Sequence, residues 1–170
     1  MNETLSHESR LEKFHWHTRE EIFKYRAEDY ERGLPPYETE VHEGNLALNE
    51  GLNLLADLLC GAGGTAYNNA NTYIGVGDSN TAAEASQTGL QAASNKTWKG
   101  MDDTYPTSGS SQQVVFQATF GTSDANYAWE ERTVGNSNDD SGENLLRIVS
   151  SKGTKQNTDT WVSRITLTFS

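Results

Sequence analysis

In the C-terminal two-thirds of the chain, apolar positions recur at every second residue. Val114, Phe116, Ala118 and Phe120 fall on one face of an extended segment, with Gln113, Gln117 and Thr119 on the other. Further on, Trp161, Ile165, Leu167 and Phe169 share a face opposite Arg164, Thr166 and Thr168. Strands are predicted over 112–120 and 160–169, with shorter ones over 72–76, 95–101, 126–134 and 144–149. A long loop of small residues is expected over 77–94. Period-two alternation punctuated by Gly, Asn, Ser and Asp predicts antiparallel sheets with one buried face. The expected fold class is mainly β: an antiparallel, jelly-roll-like β-sandwich with one buried helix and a helical or extended N-terminal arm.

Helical spacing appears twice. Leu48, Leu52, Leu55 and Leu59 form one stripe with Leu54 and Leu58 beside it, Asn49 suits an N-cap, and Gly61 suits a left-handed C-cap. These signals predict a wide-faced, buried helix over 50–60. Upstream, Thr18-Arg19-Glu20-Glu21 has the form of a capping box, and Phe23, Ala27 and Tyr30 follow at helical spacing beside Ile22. They predict a second helix over 19–31 whose stripe is too narrow to stand alone. Pro35-Pro36 then forces an extended spacer.

Composition changes near Glu43–Gly44 and divides the chain into an arm, 1–43, and a body, 44–170. All four histidines (His7, His15, His17 and His42) lie in the arm. The body is rich in Gly, Asn, Ser and Thr. With 34% hydrophobic residues and a mean hydropathy of -0.73, the core must be small. The net charge of -11, from 24 acidic and 13 basic side chains, disfavours direct contact with nucleic acid. Cys60 is the only cysteine, so no intrachain disulfide can form. Met1–Arg10 is polar and lacks the apolar stretch of a secretory signal, so synthesis in the cytoplasm is expected. The greasiest stretch, Leu52 to Cys60, is too short to cross a bilayer, and no membrane association is expected. The glycosylation patterns at Asn2 and Asn95 carry no weight without such a signal.

No catalytic centre emerges. His15 and His17 share a face only on a strand, and no third ligand in register accompanies them, so no metal site is expected. The body holds no histidine for a nucleophile system. Asn136 to Gly142 imitates a calcium loop, but its glycine comes one place too late, and a hairpin turn is the better reading. Glu130 and Glu131 are strand neighbours that face opposite ways and cannot flank one glycosidic bond. Gly61-Ala62-Gly63-Gly64 follows a helix and so cannot cradle a phosphate at a helix start. Trp98, Trp129 and Trp161 read as core or subunit-interface rings. Neither a cofactor nor a catalytic residue is implied.

Several blocks resemble a recurrent structural protein of tailed-phage virions. They are Asn45 to Gly51, Tyr73-Ile74-Gly75-Val76-Gly77-Asp78-Ser79, Val114 to Phe120, Ala125-Asn126-Tyr127-Ala128-Trp129-Glu130-Glu131, and the ending from Lys152 to Phe169. The resemblance covers residues 45–170 and implies a non-enzymatic virion protein made in the host cytoplasm. Within that group a capsid decoration (cement) protein fits best, binding the major capsid protein or another virion protein and forming a homo-oligomer, with a trimer favoured for local threefold positions. Trp16, Ile22, Phe23, Ala27, Tyr30 and Tyr37 in the arm are the expected partner-binding residues. The alternatives are a tail or neck component, or a carbohydrate-binding adhesion module using Trp98 or Tyr105.

Overall fold

The computed structural model describes residues 15–109 and 111–170. The polar start Met1–Arg10, with its Asn2 glycosylation pattern, lies outside them. The chain runs through β1 (Trp16–Arg26), α1 (Ala27–Glu31), β2 (Glu38–Glu43), β3 (Leu46–Ala47) and α2 (Asn49–Cys60). It continues through β4 (Tyr73–Gly77), β5 (Lys96–Gly100), β6 (Thr107–Ser108), β7 (Gln113–Phe120), β8 (Glu131–Gly135), β9 (Asn144–Val149) and β10 (Asp159–Phe169). These strands form two antiparallel five-stranded sheets, ordered β2-β1-β10-β7-β6 and β3-β9-β8-β4-β5. The fold is mainly β, as the alternation predicts.

The expected helix over 19–31 is a strand for most of its length. β1 pairs along its whole length with β10, from Trp16 opposite Phe169 to Arg26 opposite Asp159, and its other edge takes β2. Only Ala27–Glu31 is helical. The alternation was hidden because the buried face of β1 carries Thr18, Glu20, Ile22 and Lys24, two of them charged. Phe23 and Tyr25 point the other way. Thr18 therefore caps nothing: it is fully buried within β1. From Trp16 onward the supposed arm is part of the first sheet, and Pro35-Pro36 merely links α1 to β2.

α2 begins at Asn49 and ends, as expected, on Gly61 at φ 73, where Ala62 N–H donates to Asp57 O at 2.8 Å. Leu48, rather than Asn49, holds the N-cap position. Gly51 lets the helix lie directly on β9, since a Cβ there would come 2.5 Å from Leu145 Cα. The helix is not buried as a whole. Gly51 and Leu54 are covered, whereas Leu52 and the 90% exposed Leu59 face solvent, because only one side of α2 meets a sheet.

One apolar cluster takes side chains from both sheets. Phe116, Ala118, Phe120, Ile165 and Leu167 come from β7 and β10, and Ile74, Val76, Val134, Leu146 and Ile148 from β4, β8 and β9. Trp129 sits at its centre, edge-on to Phe120 (centroids 4.8 Å apart) and to Trp161 (4.9 Å). Its Nε1–H donates to Ala125 O at 3.0 Å. Trp98 instead lies half-buried across Gly75, where a Cβ would come 2.8 Å from its ring. Phe116 is 2% exposed, so Phe116→Ala should cost roughly 3–5 kcal/mol of a total of about 5–15. Urea unfolding checks this, and a loss no larger than that of a surface substitution would contradict the register.

Candidate functional site

The charged groups that chemistry could use are largely consumed inside the molecule. Glu20 on β1 is fully buried and takes a forked pair of bonds from Arg132 on β8, Nε to Oε1 and Nη2 to Oε2, each 2.5 Å. Arg132 Nη1 also donates to Ser150 O, and Lys152 Nζ lies 3.5 Å from Glu20. Burial works to raise the Glu20 pKa, but the charge and hydrogen bonds of Arg132 outweigh it and hold the carboxyl below its ordinary value. His42, opposite Glu20 on β2, is held below its ordinary value by burial and by Lys152 and Arg132, against the pull of Glu20. Lys24 completes this seam. It bonds Glu38, Glu40 and Lys152 O, and lies 4.6 Å from the Trp161 ring centroid.

A second buried pair organises the loop of small residues. Glu131 accepts from Arg147 Nε at 2.7 Å and from the backbone N–H groups of Gln91 and Ala92. Arg147 Nη1 in turn donates to Thr81 O and Gln87 Oε1, both at 2.9 Å. The two glutamates therefore act as struts. Asn136 to Gly142 joins β8 to β9 as a hairpin, and its Asp139 carboxylate accepts from Ser141 N–H and from the hydroxyls of Ser137 and Ser141. Among the described residues no group of three or more His, Cys, Asp or Glu side chains is placed to hold a metal ion. His17 pairs with Glu43 at 2.9 Å.

Lys155 is fully buried, its ammonium donating to Gly121 O (2.6 Å) and Asn126 Oδ1 (3.0 Å). Burial pushes its pKa down to about 8, against the pull of Asp124 and Asp159. Below pH 8 folded and unfolded chains both carry the proton, and the cost of burying the charge is fully present. Between about 8 and the ordinary value of 10.5 only the unfolded chain keeps it, so this group makes stability rise with pH there. Comparing urea midpoints of the protein and Lys155→Met from pH 7 to 10.5 checks the sign. A flat difference would contradict it.

The remaining feature is the outer face of the first sheet. Here Phe23 and Tyr25 of β1, Val162 and Arg164 of β10, and Gln117 of β7 line a shallow groove of about 200 Å³, with Tyr30 of α1 at its rim. Phe23 stands opposite Val162, and Arg164 opposite Gln117. Tyr30 packs edge-on to Tyr25, with ring centroids 5.2 Å apart, and remains 39% exposed. The volume is below the roughly 300–1,000 Å³ of small-molecule pockets. Such a groove suits a side chain of a partner better than a cofactor.

Of the six residues expected to bind a partner, only Phe23 and Tyr30 meet in this groove. Ile22 is fully buried in the core, out of any partner's reach. Trp16 packs edge-on against Phe169, and its Nε1–H reaches Thr18 Oγ1 and Asn45 Oδ1. Ala27 is half-buried at the start of α1. Tyr37, 50% exposed, lies under Arg26 and donates to Asp159 Oδ2 at 3.3 Å. Sequence reasoning missed Tyr25, Val162, Arg164 and Gln117. The outward set of β10 was legible, but nothing local reveals that β1 lies beside it. A comparison with protein-family models, curated proteins and solved structures gives no match for the chain.

Proposed function

We propose that the protein is a non-enzymatic structural component of a tailed-phage virion: a capsid decoration protein that seats on the major capsid lattice and stabilises the head. In this reading the two sheets close on each other as a jelly-roll-like sandwich and present the outer face of the first sheet to the lattice. The observation that carries it is the aromatic groove on that face, rimmed by the 39% exposed Tyr30. The block order of residues 45–170 supports the virion assignment, and an acidic body suits exposure on a particle surface. The buried glutamates support a structural reading too, since each is neutralised by an arginine rather than aimed at a substrate.

Tyr30→Ala combined with Tyr25→Ala should weaken binding to undecorated heads by about 2 kcal/mol or more, roughly thirtyfold, which is the scale of an interface hot spot. The melting temperature of the free protein should change little. Co-sedimentation with heads and with isolated tails provides the measurement. Unchanged binding to heads, or binding to tails alone, would sink the reading.

A further inference from the structure

We propose that the groove is a carboxylate receptor built on Arg164, and that its occupant is an Asp or Glu side chain flanked by an apolar residue on a protein partner. The inference rests on reading this face as a docking surface. Among the described residues every other arginine, and every lysine but one, is ion-paired to a carboxylate. The exception is Lys155, which is buried and satisfied by a carbonyl and an amide oxygen. Arg164 is thus the one surface cation of the described chain left without a carboxylate. With 24 acidic side chains in the sequence, a lack of acids is not the reason. Glu21 even stands opposite Arg164 in the β1–β10 register, yet it meets Arg19 at 3.3 Å.

Arg164 is also prearranged. Its Nε donates to Gln117 Oε1 at 2.9 Å, and Gln117 is itself fixed because its Nε2 donates to Asp102 Oδ2 at 3.0 Å. The guanidinium lies 5.0 Å from the Phe23 ring centroid. A planar fork held by stacking and one hydrogen bond keeps its two terminal nitrogens for a bidentate partner and loses little entropy on binding. The Phe23 ring shields one side of the charge from water, which strengthens the pair. The aromatic rings of the groove also call for an apolar neighbour on the ligand. An acidic sugar fits less well, because Arg164 covers one face of Phe23 and Tyr25 and Tyr30 spend ring surface on each other.

The test is an NMR titration of the full chain with N-acetyl-Phe-Glu-amide, N-acetyl-Phe-Gln-amide and glucuronate, following the Arg164 Nε–H and the Tyr25 and Tyr30 ring signals. The Glu peptide should shift these signals saturably and bind roughly tenfold or more tighter than the Gln peptide. Arg164→Gln should erase that preference, and Arg164→Lys should restore only part of it while the fold stays intact. Equal binding of the two peptides, no binding of either, or an Arg164→Gln variant that keeps the preference would overturn the proposal. Tighter binding of glucuronate than of the Glu peptide would overturn the choice of a protein ligand. If heads still bind Arg164→Gln fully but lose the Tyr25/Tyr30 variant, the receptor fails while the docking face stands.

Discussion

Removing residues 1–43 should leave a chain that does not fold. Read from sequence, that segment is a detachable arm; in the structure it supplies β1 and β2, two of the five strands of the first sheet. Without β1, the full length of β10 loses a ladder partner and the core loses the fully buried Ile22, the latter worth about 2–5 kcal/mol. Arg132 loses both its carboxylate partner Glu20 and the strand that covers it, so the interior of the first sheet opens to water. Against a total stability of about 5–15 kcal/mol for a domain this size, the lost ladder and core leave little margin. The truncated protein should give no cooperative thermal transition by circular dichroism and a collapsed amide dispersion by NMR. A sharp melt within a few degrees of the full chain would show β1 to be dispensable.

Glu20→Ala should damage the first sheet as much as truncating a buried phenylalanine of its core. It strands Arg132 and leaves Lys152 without its buried partner, for an expected loss of about 3–5 kcal/mol, or roughly 6–20 °C in melting temperature. The pair Glu20→Leu with Arg132→Leu should recover much of that loss, because the stranded guanidinium is then gone and Lys152 keeps Glu40, 3.9 Å away, as its remaining carboxylate. Arg132 holds the Glu20 carboxyl below its ordinary value against the opposing effect of burial. Its contribution is therefore present in full above the unfolded value near 4.5 and lost as pH falls through the lower folded one. The gap between the protein and Glu20→Ala should accordingly narrow in acid. Urea unfolding at pH 7 and pH 3 measures both effects. A double variant no more stable than Glu20→Ala would show that Glu20 acts through packing and not through its charge.

What could be read from sequence was decided by how much of each element's environment is local. β7 and β10 alternate cleanly because their buried faces are apolar, so Phe116, Phe120, Ile165 and Leu167 were legible as core. α2 showed itself by its leucines and Gly61, but its burial did not, because Leu52 and Leu59 belong to the same stripe as residues that do meet β9. β1 was illegible because its inward positions, Glu20 and Lys24, are neutralised by Arg132 on β8 and by Glu38 and Glu40 on β2. Charges that look solvated in sequence are buried once those partners arrive. The groove was half legible for the same reason. Phe23 and Tyr30 stood out as apolar residues in a polar segment, whereas Arg164 acquires meaning only when Phe23, Gln117 and the missing carboxylate are seen around it.

Cryo-EM of the virion should locate the chain. The two five-stranded sheets should appear as density on the outer surface of the head, at local threefold positions of the lattice, with the face bearing Phe23, Tyr30 and Arg164 turned toward the capsid. Density confined to the tail or neck, or its absence from the particle, would contradict the account.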